Sequence, residues 1–194
     1  MYIVIFIVLS LALGISIMLL MHRSAEAAPV RLSSGILVSF ATAVVHVALF
    51  CLGIWLGNKL LLTDNGNPAP YAQQNAWVFF GLAVMVAIKQ FLPYMGRRTK
   101  PAAYNLNAGI PQLLLLTVAS GINVFLLGFG VGFVALLGES LHAAIWPLFA
   151  FTFLLAVLGV MFGRQHVPLR PRRWITLSSL IMFATALFVV IFID

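Results

Sequence analysis

Six apolar runs constrain this chain more than anything else in it. They lie at about Met1–Met21, Gly35–Leu62, Asn75–Met95, Gly109–Leu137, Leu141–Gly163 and Trp174–Ile193. A helix needs roughly 20 apolar residues to cross the hydrocarbon core of a bilayer, and every run is long enough. A soluble fold of 194 residues could not bury that much surface, since 63% of the residues are apolar and only 8% are charged. No run alternates apolar and polar residues between turns, so helices are expected rather than a barrel. The expectation is therefore an all-α integral membrane protein with six transmembrane helices, in one membrane domain spanning 1–194.

The first run has a leader-like ending, because Ala25-Glu-Ala27 imitates a small-residue cleavage site. Arg23 follows the apolar run instead of preceding it, however, and the run exceeds an ordinary leader core. It is read as a retained helix.

The formal charge of +7 sits in short connections, not in a basic domain, which argues against a nucleic-acid partner. The first connection has Arg23 and Arg31 against Glu26; the third has Arg97, Arg98 and Lys100; the fifth has Arg164, Arg170, Arg172 and Arg173. The second balances Lys59 with Asp64, and the fourth has only Glu139. The positive-inside rule makes the odd connections cytoplasmic and puts both termini outside. Pro168 and Pro171 stiffen the fifth connection into a basic strap at the level of anionic lipid heads.

The two halves of the chain resemble each other. Gly14-Ile-Ser-Ile-Met-Leu-Leu20 aligns with Gly121-Ile-Asn-Val-Phe-Leu-Leu127, and Leu52-Gly-Ile-Trp-Leu-Gly57 with Leu158-Gly-Val-Met-Phe-Gly163. Trp77, Met85 and Ala87 align with Trp174, Met182 and Ala184. Three spans per half is an odd number, so the halves would cross the membrane in opposite senses. That predicts a 3+3 inverted repeat: repeat one at about 1–95, a basic cytoplasmic loop at about 96–108, and repeat two at about 109–194. Secondary transporters built this way place their substrate site near the midplane, at the repeat interface.

Polar side chains inside the spans mark candidate sites, because a buried polar group is costly in hydrocarbon. Asn123 lies near the middle of the fourth run, and the repeat pairs it with Ser16. Thr117, Gly121, Gly128 and Gly132 form a narrow stripe suited to close helix packing, while Asn123 and Gly130 share another face. In the second run, Ser39, Thr42, His46, Gly53 and Gly57 project together, matched in the fifth by Thr152, Gly159 and Gly163. His46 is the one histidine well inside a span, suited to a ligand or proton-carrier role or to a bond between helices. Met18, Met21 and His22 have the donor types for a soft metal, and the same residues also serve as packing. Lys89 is placed to snorkel toward the nearer surface.

Cys51, the lone cysteine, excludes a disulfide framework and a zinc knuckle. No span carries an acid, and neither His-Glu-x-x-His nor Gly-x-Ser-x-Gly occurs, so an enzyme is not expected. No resident cofactor is expected either.

Length, repeat, the glycine-rich tract after Asn123, and Phe153-Leu-Leu-Ala-Val-Leu-Gly-Val-Met-Phe-Gly-Arg164 together resemble the MntP-type manganese exporters of the lysine-exporter group. The resemblance covers nearly the whole chain. It implies efflux across a bacterial cytoplasmic (inner) membrane, with metal-binding aspartates in helices one and four. Here the helix-four position is Asn123, and the helix-one position is Met18 by direct comparison or Ser16 by the internal repeat. An acidic helix-two position of the family falls on His46, and a basic helix-three position on Lys89. All four acids, Glu26, Asp64, Glu139 and Asp194, lie in connections or at the terminus. Mn²⁺ favours hard, charged oxygen ligands, so the substrate class stays open between a transported metal cation and a small solute. Asn123, Ser16, Met18 and His46 are the expected substrate site, and the glycine faces allow a homodimer. The alternative is a non-transporting structural or regulatory membrane protein with the same fold.

Overall fold

The computed structural model describes residues 2–27, 30–67, 69–95, 110–134 and 141–192. Its helices are α1 (Tyr2–Ala27), α2 (Leu32–Lys59), α3 (Ala72–Met95), α4 (Ile110–Phe133), α5 (Leu141–Arg164) and α6 (Pro171–Phe192). All six are long and apolar enough to cross a membrane, and no named strand occurs among the described residues. The basic loop at 96–108, with Arg97, Arg98 and Lys100, lies outside the described residues, as do Glu139 and Asp194.

Helix ends depart from the apolar runs where polar residues remain helical. α1 continues beyond Met21 to Ala27 and carries His22, Arg23 and Ser24 with it. His22 and Ser24 are buried there against neighbouring chain, so hydropathy drops without ending the helix. α6 begins earlier than its apolar run, at Pro171. A proline is favourable in that first position, where its missing N–H is not needed. The α2–α3 connection turns at Asp64–Asn67, which pair through two backbone hydrogen bonds of 3.0 and 2.8 Å. Asn65 and Gly66 take positive φ there, as a tight reversal requires.

The principal packing pairs are α1 with α5, α5 with α2, α2 with α4, α4 with α3, α3 with α6, and α6 with α1. Together they close a ring in the order α1–α5–α2–α4–α3–α6. Every one of these pairings joins a helix of the first three to a helix of the last three. Of the consecutive helices, only α3 and α4 are principal neighbours.

Glycine sets the closest of these approaches. Along α1–α5, Gly14 sits against Leu155 and the Phe151 backbone, Gly159 against the Met18 carbonyl, and Gly163 against the His22 carbonyl. Along α2–α4, Gly121 sits against Leu49, Gly53 against the Phe125 carbonyl, and Gly57 against the Phe129 carbonyl. Gly128 and Gly132 meet the Phe50 and Ile54 carbonyls. A Cβ at these positions would collide with the facing helix, so the glycine stripe of α4 packs as its spacing suggests.

The ring has two unlike ends. At the end holding Lys59 and Asp64, one apolar cluster takes residues from all six helices, including Phe6, Phe50, Phe79, Leu127, Leu148 and Met182. Toward the other end the apolar core is divided into two smaller clusters, around Met21 and around Met18. Arg23, Arg31, Arg164, Arg170, Arg172 and Arg173 gather at that second end. It is tied together where His22 Nε2 donates to the Val167 carbonyl at 2.9 Å. The perimeter is apolar, with Leu37, Trp146 and Leu180 more than 60% exposed, as a lipid-facing surface requires.

Candidate functional site

His46 lies at the centre of α2 and is fully buried. Its Nε2 is 2.9 Å from the hydroxyl of Ser120 on α4. Ser120 commits its own proton to the Leu116 carbonyl at 2.8 Å, so it accepts from His46. That fixes the hydrogen on Nε2 and leaves Nδ1 as an acceptor. Nδ1 is buried and has no hydrogen-bond partner.

Three more buried atoms in the same part of the ring have none: Oγ1 of Thr42 on α2, Oδ1 of Asn123 on α4, and Oγ1 of Thr152 on α5. Thr42 is one helical turn from His46 on the same face. Phe40 meets the Phe149 and Phe153 rings edge-on at 5.8 and 6.2 Å, and Gly35 packs on Val160. The antiparallel register fixed by these contacts sets Thr42 and Thr152 at the same depth. Asn123 lies one turn beyond Ser120 and is half-buried. Gly130, on the Asn123 face, abuts Phe79 and Leu82 of α3. Unpaired polar atoms are expensive inside a membrane, where no solvent compensates them, and so these atoms make up the candidate site.

Ser16 belongs to a different group. Its hydroxyl donates to the Leu13 carbonyl at 2.8 Å and receives a long 3.5 Å contact from Gln90 Nε2 on α3. Ser178 of α6 donates to the Ala12 carbonyl at 2.7 Å and also lies 3.3 Å from Gln90 Oε1. This cluster joins α1, α3 and α6, and its polar atoms are partnered. Ser16 and Asn123 thus lie on helices that are not ring neighbours, and Ser16 and His46 have different hydrogen-bond partners.

Met18 is buried among Leu19, Ile175, Phe91 and Leu155. Met21 enters the other cluster, with Ile17, Val38 and Leu116. His22 is engaged by Val167, with Glu26 3.8 Å from its Nδ1. The Met18–Met21–His22 group is therefore dispersed into packing, and Ser16 is the polar one of the two helix-one candidates. No group of three His, Cys, Asp or Glu side chains comes together to hold a metal among the described residues. Cys51 is half-buried and free, and Lys89 is exposed.

Ser120, Gln90 and Ser178 were not marked by the sequence. Gly121, which the repeat marks, is the neighbour of Ser120 and meets the His46 ring edge. Fold and site define a six-helix membrane-type bundle with uncompensated neutral polar atoms at mid-span. Comparison with family models, curated proteins and solved structures finds no match.

Proposed function

We propose that the chain is a small secondary transporter, built as a 3+3 inverted repeat, that exports a cation or small polar solute. The observation carrying this reading is the matched set of glycine contacts. Gly14 on Leu155 corresponds to Gly121 on Leu49, Gly159 on Met18 to Gly53 on Phe125, and Gly163 on His22 to Gly57 on Phe129. Each correspondence follows the same register as the sequence repeat. Exchanging helices one to three with four to six also maps the six ring pairings onto one another. Inverted repeats with a polar midplane are a transporter architecture, cycling by rocking one part against another. The resemblance to MntP-type exporters supports efflux and an inner-membrane location, and the loop charges support both termini outside.

His46, Asn123, Thr42 and Thr152 form the substrate-facing set in this reading, and Ser16 is the repeat partner of Asn123. The donors are an imidazole nitrogen, an amide oxygen and hydroxyls, all uncharged. They suit a monovalent or softer cation or a hydrogen-bonding solute better than a bare Mn²⁺, which needs negative charge around it in hydrocarbon. His46 Nδ1 is an acceptor for a proton, so it can couple export to the proton gradient. The apolar cluster spanning all six helices acts as the closed gate, with the site reached from the arginine end.

The test is transport in everted vesicles beside metal sensitivity of deletion strains across Mn, Cu, Zn, Cd, Co and monovalent cations. His46→Ala and Asn123→Ala should each reduce transport at least about tenfold at unchanged membrane abundance, the rate change that about 1.4 kcal/mol of lost stabilisation produces. Wild-type transport by both variants would sink the site assignment. The absence of acids from the described mid-span favours a second reading, a structural or regulatory membrane protein. A deletion without effect across the whole panel would select it.

A further inference from the structure

The start of α6 carries a surface that the proposed transport does not use. Arg170, Arg172 and Arg173 are exposed there, beside Trp174. Two recesses meet at Arg170, Arg173 and Leu177. One, of about 600 Å³, adds Arg172, Thr176 and Leu180 to its lining; the other, of about 450 Å³, adds Pro168, Leu169 and Trp174. Residues 170, 173, 177 and 180 recur at three- and four-residue spacing, so they form one stripe along the helix. From Arg173 to Leu180 the stripe descends about 10 Å along the axis, from guanidinium groups to bare leucine.

We infer that this stripe is a binding site for an anionic phospholipid. The guanidinium groups engage the phosphate as paired donors, which is the geometry arginine offers. Leu177 and Leu180, 43% and 62% exposed, carry an acyl chain along the helix, and Trp174 sits at the boundary between them. A soluble anion would use the arginines and leave the leucine wall empty; a phospholipid fills both. Charge complementarity selects an acidic headgroup. Glu26, the one acid of this end among the described residues, lies within 3.8 Å of His22. Neither recess has a carboxylate among its lining residues. The site stands on the lipid-facing side of the ring and does not depend on the transport reading.

Thermal unfolding of the full-length protein in detergent tests it, with phosphatidylglycerol, phosphatidylcholine or inorganic phosphate added. Saturating phosphatidylglycerol should raise the unfolding temperature by about 5–10 °C, the linkage expected for a ligand well above its dissociation constant. Phosphatidylcholine and phosphate should give less than about a third of that shift. Arg170→Gln/Arg173→Gln should lose most of the shift while unfolding normally without lipid. Lys59→Gln, at the far end, should keep it. Native mass spectrometry reads the same point independently, as phosphatidylglycerol retained by the wild type and lost from the double variant. An equal response to phosphatidylcholine, or an undiminished response and retention in the double variant, would overturn the site. A full shift with phosphate alone would replace the lipid with a free anion.

Discussion

The α1–α5 and α2–α4 interfaces have matching backbone contacts and different chemistry. Each brings a glycine onto a leucine side chain and two further glycines onto main-chain carbonyls, and α2–α4 adds Gly128 and Gly132 on the Phe50 and Ile54 carbonyls, where α1 has Met21 and Ala25. In the register of those contacts, His46 of α2 stands where α5 has Thr152, and Ser120 of α4 stands where α1 has Leu13. One interface therefore carries a hydrogen bond between its helices, and the other has a buried threonine and a buried leucine at the corresponding positions. Close backbone approach leaves little room for change, so the three matched glycine contacts are alike on both sides. Side chains beyond the contact line are free to differ, and that is where polar chemistry is concentrated on one side only.

The comparison breaks most visibly at the glycines. Gly53→Leu and Gly159→Leu force a side chain onto a carbonyl that cannot rotate away, and each should cost about 3 kcal/mol or more. Fluorescence-detected size exclusion after a thermal challenge would measure both, beside Gly81→Ala, which meets nothing within 4 Å and should behave as wild type. Collapse of one variant and tolerance of the other would end the equivalence. Next in size is Ser120→Ala, which leaves the buried Nε2–H of His46 without its acceptor. It should cost about 1–3 kcal/mol, read as a lower unfolding temperature. The smallest effect is expected at Thr152→Val. Its hydroxyl has no partner, so replacing it with a methyl should leave stability within about 0.5 kcal/mol of wild type or raise it slightly. A large loss there would mean that the hydroxyl is already engaged.

The six helices were legible because apolar length alone demands a membrane-spanning element. Their ends were less so: His22 and Ser24 are polar, yet α1 runs on through them because tertiary contacts bury them. His46 and Asn123 stood out as polar groups in apolar runs, and both hold a buried atom without a partner. Ser120 and Ser178 did not stand out, since a serine in any helix can satisfy itself on a carbonyl one turn back. Ser120 does this to Leu116, whereas Ser178 reaches across to Ala12. No local pattern tells these two cases apart. Gln90 was hidden similarly, because its partners lie on α1 and α6. Which helices become neighbours is decided by the ring order, and this order is non-local.

That ring order also governs how the molecule comes into being. During synthesis, α1, α2 and α3 enter the bilayer before any of their principal partners exists. The glycines of α1 and α2 face lipid until α4 and α5 arrive to cover them. Assembly is therefore a late, interleaving event in which each incoming helix slots between two that are already waiting. A half-made chain has almost nothing to hold it together, and a completed one has no half that can peel away alone. Every principal helix contact therefore waits for one of the last three helices to be in place.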